Sequence, residues 1–163
     1  TWMGLLTLIL AAGCIRFDMT LWMKGRSEQL QSFVHRALAV GYGWFVLFGI
    51  FMIGWTHLPG AVQKDILFHL AGLGFIFTMI LAHAPLILPA VIGKVPSFFA
   101  PAIPFVIFQL CTVMRIGPDL FVQKSPAAWM WSGWVTGVLH LTTFVVYMAL
   151  VVKSLVSSSG SQT

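Results

Sequence analysis

From Ile66 to Ile92 the chain runs for 27 residues without one Asp, Glu, Lys or Arg. A surface helix of a soluble protein would carry a charged face, because it buries one stripe and wets the other. No face of this segment is charged, and about 20 apolar residues suffice to cross the hydrocarbon core of a bilayer. Inside lipid the backbone must satisfy its own N–H and C=O groups. Long apolar runs without strand alternation do so as helices.

The rest of the chain follows the same pattern. Charged residues make up 8% and hydrophobic residues 59% of the 163 positions, whereas soluble domains carry about 25% charged residues. Soluble enzymes and nucleic-acid binders are thereby excluded. The net charge of +5 fits loops that face anionic headgroups. Cys14 and Cys111 lie far apart in apolar stretches, which excludes a disulfide framework, a CxxC redox motif and a c-type haem attachment.

The apolar runs predict an all-α integral membrane bundle of about five transmembrane helices, over residues 1–15, 33–55, 66–92, 98–116 and 129–152. Together they form one domain, 1–156, followed by a Ser/Gly-rich tail, 157–163, expected to be disordered. Span one looks short, as if its beginning lay upstream, and it lacks the n-region and cleavage site of a signal peptide. Arg16, Lys24, Arg26, Lys94 and Lys153 fall on one side of the membrane, against Lys64, Arg115 and Lys124 on the other. That bias places the C-terminus in the cytoplasm. Trp55, Trp129, Trp131 and Trp134 fall near span ends on the opposite side, as an aromatic belt.

Polar side chains within spans are where chemistry is expected. His69 and His83 stand fourteen residues apart, so an ideal helix puts them on one face, with Gly72, Ile76 and Met79, about 21 Å apart along the axis. They cannot share one metal. Met79 lies one turn before His83 and offers a thioether beside an imidazole, a donor pair suited to copper. Pro85 removes the hydrogen bond to the Leu81 carbonyl and predicts a kink beside His83. The bland alternative is a long helix bent by Pro85 and Pro89 with no further role.

In span five Gly133 and Gly137 form a GxxxG pair that lets another helix approach closely. His140, seven residues after Gly133, is expected to point into the bundle. Tilt and the kink could bring His83 and His140 to similar depth, so a haem held by two imidazoles, or a copper site, is open. The competing reading is a histidine that only hydrogen-bonds a neighbouring helix. His35 with Arg36 reads as a headgroup anchor, and His57 as a solvated turn residue. Arg115 is expected to snorkel to the surface, with a haem propionate or Asp119 as alternative partners. With no acid inside a predicted span, a carboxylate proton relay is unsupported. No HExxH, Walker or GxSxG motif is present.

Asp65…His69, the run from Gly74 to Ile80, His83-Ala84-Pro85 and Pro89-Ala90-Val91 resemble a group of small bacterial polytopic proteins. That group is similar to the NnrS-like and haem–copper-oxidase-like membrane families. Arg115-Ile-Gly-Pro-Asp119 and the Trp134…Gly137 helix fit the same pattern, so the resemblance covers residues 41–152. It implies haem b or copper at His69 and His83, with His140 as a further position. Five spans and no adjacent His-His pair set the chain apart from an independent oxygen reductase. The five-span tryptophan-rich translocators are set aside because their Pro- and Trp-rich first-loop motif is missing.

Two functions are therefore expected. One is a subunit of a redox or energy-converting complex in the bacterial cytoplasmic membrane, with haem b or copper on His69, His83 and His140, and Met79 as a further metal ligand. The rival is a cofactor-free subunit that packs against partner membrane subunits through the Gly133/Gly137 face, and against lipid. A quinone or small-solute carrier rests only on the kinked span three.

Overall fold

The computed structural model describes residues 2–18, 28–54, 60–93, 101–121 and 126–157. Those residues form five helices and no strand: α1 (Trp2–Phe17), α2 (Glu28–Gly54), α3 (Gly60–Ile92), α4 (Ala102–Phe121) and α5 (Pro126–Ser157). Four of them, α2 to α5, are long and apolar enough to cross a membrane, and α1 is a shorter apolar helix. Lys24, Arg26, Trp55, His57, Lys94, Lys124 and the tail from residue 158 lie outside the described residues, as does the side chain of Trp129.

Two apolar cores stack along the bundle. One gathers Leu38 and Tyr42 from α2, Leu81 and Ala82 from α3, Phe105 and Phe108 from α4, and Tyr147 and Val151 from α5. The other, nearer the start of α3, joins Phe51, Ile66, Leu70 and Ile116. Many large apolar side chains instead face outwards, among them Trp131 and Trp134 at 71% and 73% exposure. An outer surface of this kind needs an apolar solvent. The outward tryptophans of α5 fit an interfacial belt. Helix α1 packs against α2, where a Cβ on Gly4 would stand 2.8 Å from the Gly49 carbonyl oxygen.

Helix α3 is not one regular α-helix. Leu70–Phe77 is π-helical, with hydrogen bonds reaching back five residues rather than four. This segment lies between His69 and His83. It breaks the 3.6-residue phase on which their predicted common face depended, so that expectation is corrected.

The proline consequence is met differently. Pro85 leaves the Leu81 carbonyl without its helical donor, and the Tyr147 hydroxyl of α5 donates to that oxygen at 2.5 Å. Tyr147 is fully buried, so no water can substitute for it. Tyr147→Phe is expected to lower unfolding stability by about 1–2 kcal/mol, measurable by denaturant titration in detergent. An unchanged midpoint would mean that the carbonyl finds another donor.

Candidate functional site

Three polar features stand out among the described residues, and the first two are clusters that join helices. The first lies where α3 starts and α4 ends. Asp65 and His69, and likewise Arg115 and Asp119, are i,i+4 pairs on their own helices. Arg115 joins them, donating from Nη2 to Asp65 Oδ2 at 2.6 Å and from Nη1 to Asp119 Oδ2 at 2.7 Å. The guanidinium is 7% exposed as a residue and Asp119 only 3%. The expectation that Arg115 snorkels to the surface is therefore corrected, because two carboxylates hold it inside. Asp65 and Asp119 also lie within helices long enough to span the membrane. The expectation that spans hold no acid drew their boundaries at Ile66 and Ile116, one and three residues too tight.

The second cluster is a hydrogen-bond chain across three helices. Trp44 Nε1 on α2 donates to Gln109 Oε1 on α4 at 2.8 Å, and Gln109 Nε2 donates to Thr78 Oγ1 on α3 at 2.9 Å. The Thr78 hydroxyl is 3.3 Å from the Leu73 carbonyl, five residues back. The chain thus ends on the π-helical segment and occupies a carbonyl there. Gln109→Leu leaves the Trp44 N–H without this acceptor, at a cost of about 1–2 kcal/mol. The expected result is a lower unfolding midpoint and a changed tryptophan emission; no change in either would remove the chain from the list of stabilising contacts.

The third feature is a common arrangement of the interior histidines. In His69, His83 and His140 the Nδ1–H donates to the carbonyl four residues earlier, at 2.7, 2.8 and 2.7 Å. A carbonyl only accepts, so Nδ1 carries the proton and Nε2 holds the lone pair in each neutral ring. Their second nitrogens differ. His140 Nε2 faces the Thr112 hydroxyl at 3.0 Å, and Phe108 packs edge-on against its ring. His83 Nε2 has no hydrogen bond among the described residues. The His83 residue lines an outward-facing groove of about 400 Å³ with Met79 and with Met148 of α5. The thioether end of Met79 lies over Gly41 of α2, where a Cβ would be 3.4 Å from its sulfur.

The histidines do not come together. Tyr147 of α5 meets Leu81 of α3, and Phe144 meets Phe77. His140 is seven residues before Tyr147, and His83 two after Leu81, so their depths differ by roughly 10 Å or more. The shared depth expected for His83 and His140 is not found. Among the described residues no three His, Cys, Asp or Glu side chains converge as metal ligands.

His140 is buried, as expected, though the reason given for it fails. It packs on α4, whereas among the described residues Gly133 and Gly137 have no neighbour that a Cβ would meet within 4 Å. They line an open groove of about 420 Å³ together with Arg115 and Trp134.

Taken together, the fold and its interior polar sites define a helical membrane bundle. The chain belongs to the family described as a domain of unknown function (DUF8744), which matches residues 1–153. No curated protein matches it, and no solved structure does.

Proposed function

We propose that the chain is a subunit of a redox or energy-converting complex in the bacterial cytoplasmic membrane, with its C-terminus cytoplasmic, and that it offers His83 as a ligand to haem b or copper. The observation that carries this reading is the state of the His83 ring. Its Nδ1–H is anchored on the Met79 carbonyl at 2.8 Å, the arrangement that orients a metal-binding imidazole and raises its basicity. His83 itself lines an outward-facing groove with Met79 and Met148. Imidazole with two thioethers is a soft donor set suited to copper(I), and imidazole alone serves as one axial ligand of a haem. The groove faces outwards, so a partner subunit would complete a haem site. His69 and His140 anchor Nδ1 on the backbone in the same way and rank behind His83: the Asp65 carboxylate also stands 3.5 Å from His69 Nδ1, and the Thr112 hydroxyl already faces His140 Nε2.

The test is a reduced-minus-oxidised optical spectrum with metal analysis on protein purified from its membrane together with any partners. A haem b band or stoichiometric copper that His83→Ala removes, while Tyr147→Phe keeps it, supports the reading. A folded preparation without haem or metal overturns it.

A second reading has its own observation. Gly133 and Gly137 stand open on α5, and in a membrane such a face accepts a partner helix. On this reading the chain is a cofactor-free packing subunit. Gly137→Leu would then cost association with the co-purified partner, while the isolated chain keeps its fold.

A further inference from the structure

We propose that the seam between α2 and α4 binds one anionic phospholipid. Arg36 takes its phosphate, and a trough below Arg36 takes an acyl chain. Arg36 stands at the edge of the bilayer. The 18 residues from Ala37 to Gly54 carry no charge and span about 27 Å as a helix, close to the roughly 30 Å of a hydrocarbon core. An arginine at that edge touches whichever headgroup is near. A trough built beneath it adds a place for the chain that the headgroup carries.

The trough follows from how the two helices meet. Phe33 of α2 and Phe105 of α4 touch edge-on, 5.4 Å between ring centroids, and Trp44 reaches Gln109 at 2.8 Å. Long side chains thus bridge the helices at two levels and leave space on the outer side. The first part, about 700 Å³, is lined by Gln29, Ser32 and Arg36 and, further along the helices, by Val40 and Val106. A second part of about 630 Å³ shares Val40 and continues past Gly43 to Leu47. From Arg36 to Leu47 is eleven residues, about 16 Å of helix. One leaflet contributes about 15 Å of hydrocarbon, half of the core. A chain that begins at Arg36 therefore ends near the bilayer midplane, as an acyl chain does. Val40, Leu47 and Val106 are all exposed, so lipid enters from the side.

The charge balance selects an anion. Gln29, Ser32 and Arg36 recur at three- and four-residue spacing, so one face of α2 presents an amide, a hydroxyl and a guanidinium. A guanidinium meets phosphate oxygens with two parallel N–H groups. The chain has only four Asp and Glu residues to offer instead. Asp65 and Asp119 bind Arg115 towards the far end of α4, and Asp18 accepts the Tyr42 hydroxyl at 2.5 Å. Glu28 lies eight residues before Arg36, twice the spacing at which ion pairs form along a helix. Among the described residues no acid pairs with Arg36. Arg36 keeps its charge at any physiological pH, so its counter-ion comes from outside the chain. At this depth the abundant anion is a lipid phosphate. In a zwitterionic lipid an ammonium group already accompanies the phosphate; in an anionic one Arg36 is its partner.

Native mass spectrometry of the full chain, delipidated in detergent and titrated with phosphatidylglycerol or phosphatidylcholine of the same acyl chains, tests this. The expected result is one phosphatidylglycerol per chain, with phosphatidylcholine held about tenfold more weakly. Arg36→Gln should erase that preference. Val40→Trp should weaken both lipids by filling the trough, and Val106→Trp serves in its place should that variant not fold. Lys153→Gln, which removes an exposed cation of α5, should change neither lipid. Four results overturn the proposal. One is equal retention of the two lipids. Another is a preference that survives Arg36→Gln. The third is a preference lost equally in Lys153→Gln, which would make the attraction a general one for basic surface. The fourth is a lipid-free dimer that Val40→Trp dissociates, which would make the occupant a second copy of the chain. None of these depends on whether His83 binds a cofactor.

Discussion

Arg115→Met is expected to be the most damaging single substitution in this chain, lowering stability by about 3–5 kcal/mol. The residue is not replaceable by shape alone. Its two Nη groups bind Asp65 at 2.6 Å and Asp119 at 2.7 Å, and the Asp119 side chain has no exposure at all. Without the guanidinium, Asp119 is left buried without its cation and Asp65 loses its ion-pair partner. Arg115→Lys does little better, because a single ammonium cannot present the planar fork that meets two carboxylates at once. The measurement is an unfolding titration of detergent-solubilised protein, read by circular dichroism.

The same physics predicts a rescue. Removing all three charges together, as Asp65→Asn, Arg115→Met and Asp119→Leu, should recover most of the lost stability. Buried ion clusters are often no more stabilising than apolar side chains of similar volume, while a broken cluster is strongly destabilising. A triple variant as unstable as Arg115→Met alone would show that the arginine acts through packing and not through charge. A stable triple variant would show that the cluster as a whole contributes no net stability.

Much of the architecture could be read from apolar run lengths, since a bilayer leaves helices as the only solution for such runs. Run length failed at the edges. Asp65 and Asp119 fell just outside the apolar windows, although the i,i+4 spacing of Asp65 with His69 and of Arg115 with Asp119 was there to be read. A charge ends an apolar run whether it faces water or a buried partner, so hydropathy alone cannot tell the two apart. The interior position of His140 was legible, but its neighbour Thr112 was not, because nothing in one helix says which other helix it will meet. The π-helical segment was likewise hidden. Leu70–Phe77 reads as an ordinary apolar helix, and the Trp44 and Gln109 side chains beside it come from α2 and α4.

That interlock makes Gly74→Ala the second large effect. A Cβ at Gly74 would stand 2.9 Å from Trp44 Cγ, 3.0 Å from Cδ2 and 3.1 Å from Cβ. Trp44 cannot swing clear without cost, because its Cβ is among the crowded atoms and its Nε1 is tied to Gln109 at 2.8 Å. The expected loss is about 1–3 kcal/mol from overpacking, with altered tryptophan emission as the indole moves. Gly72 is the control, since among the described residues nothing lies within 4 Å of a Cβ there. Gly72→Ala should be neutral or stabilise by up to about 1 kcal/mol, because alanine loses less backbone entropy than glycine on forming a helix. Two alanines placed two residues apart should thus act in opposite directions. Equal effects would mean that the glycines serve only backbone flexibility. Opposite effects would establish that Gly74 seats Trp44, whose bond to Gln109, and through it to Thr78, fastens α2, α3 and α4 at one level of the bundle.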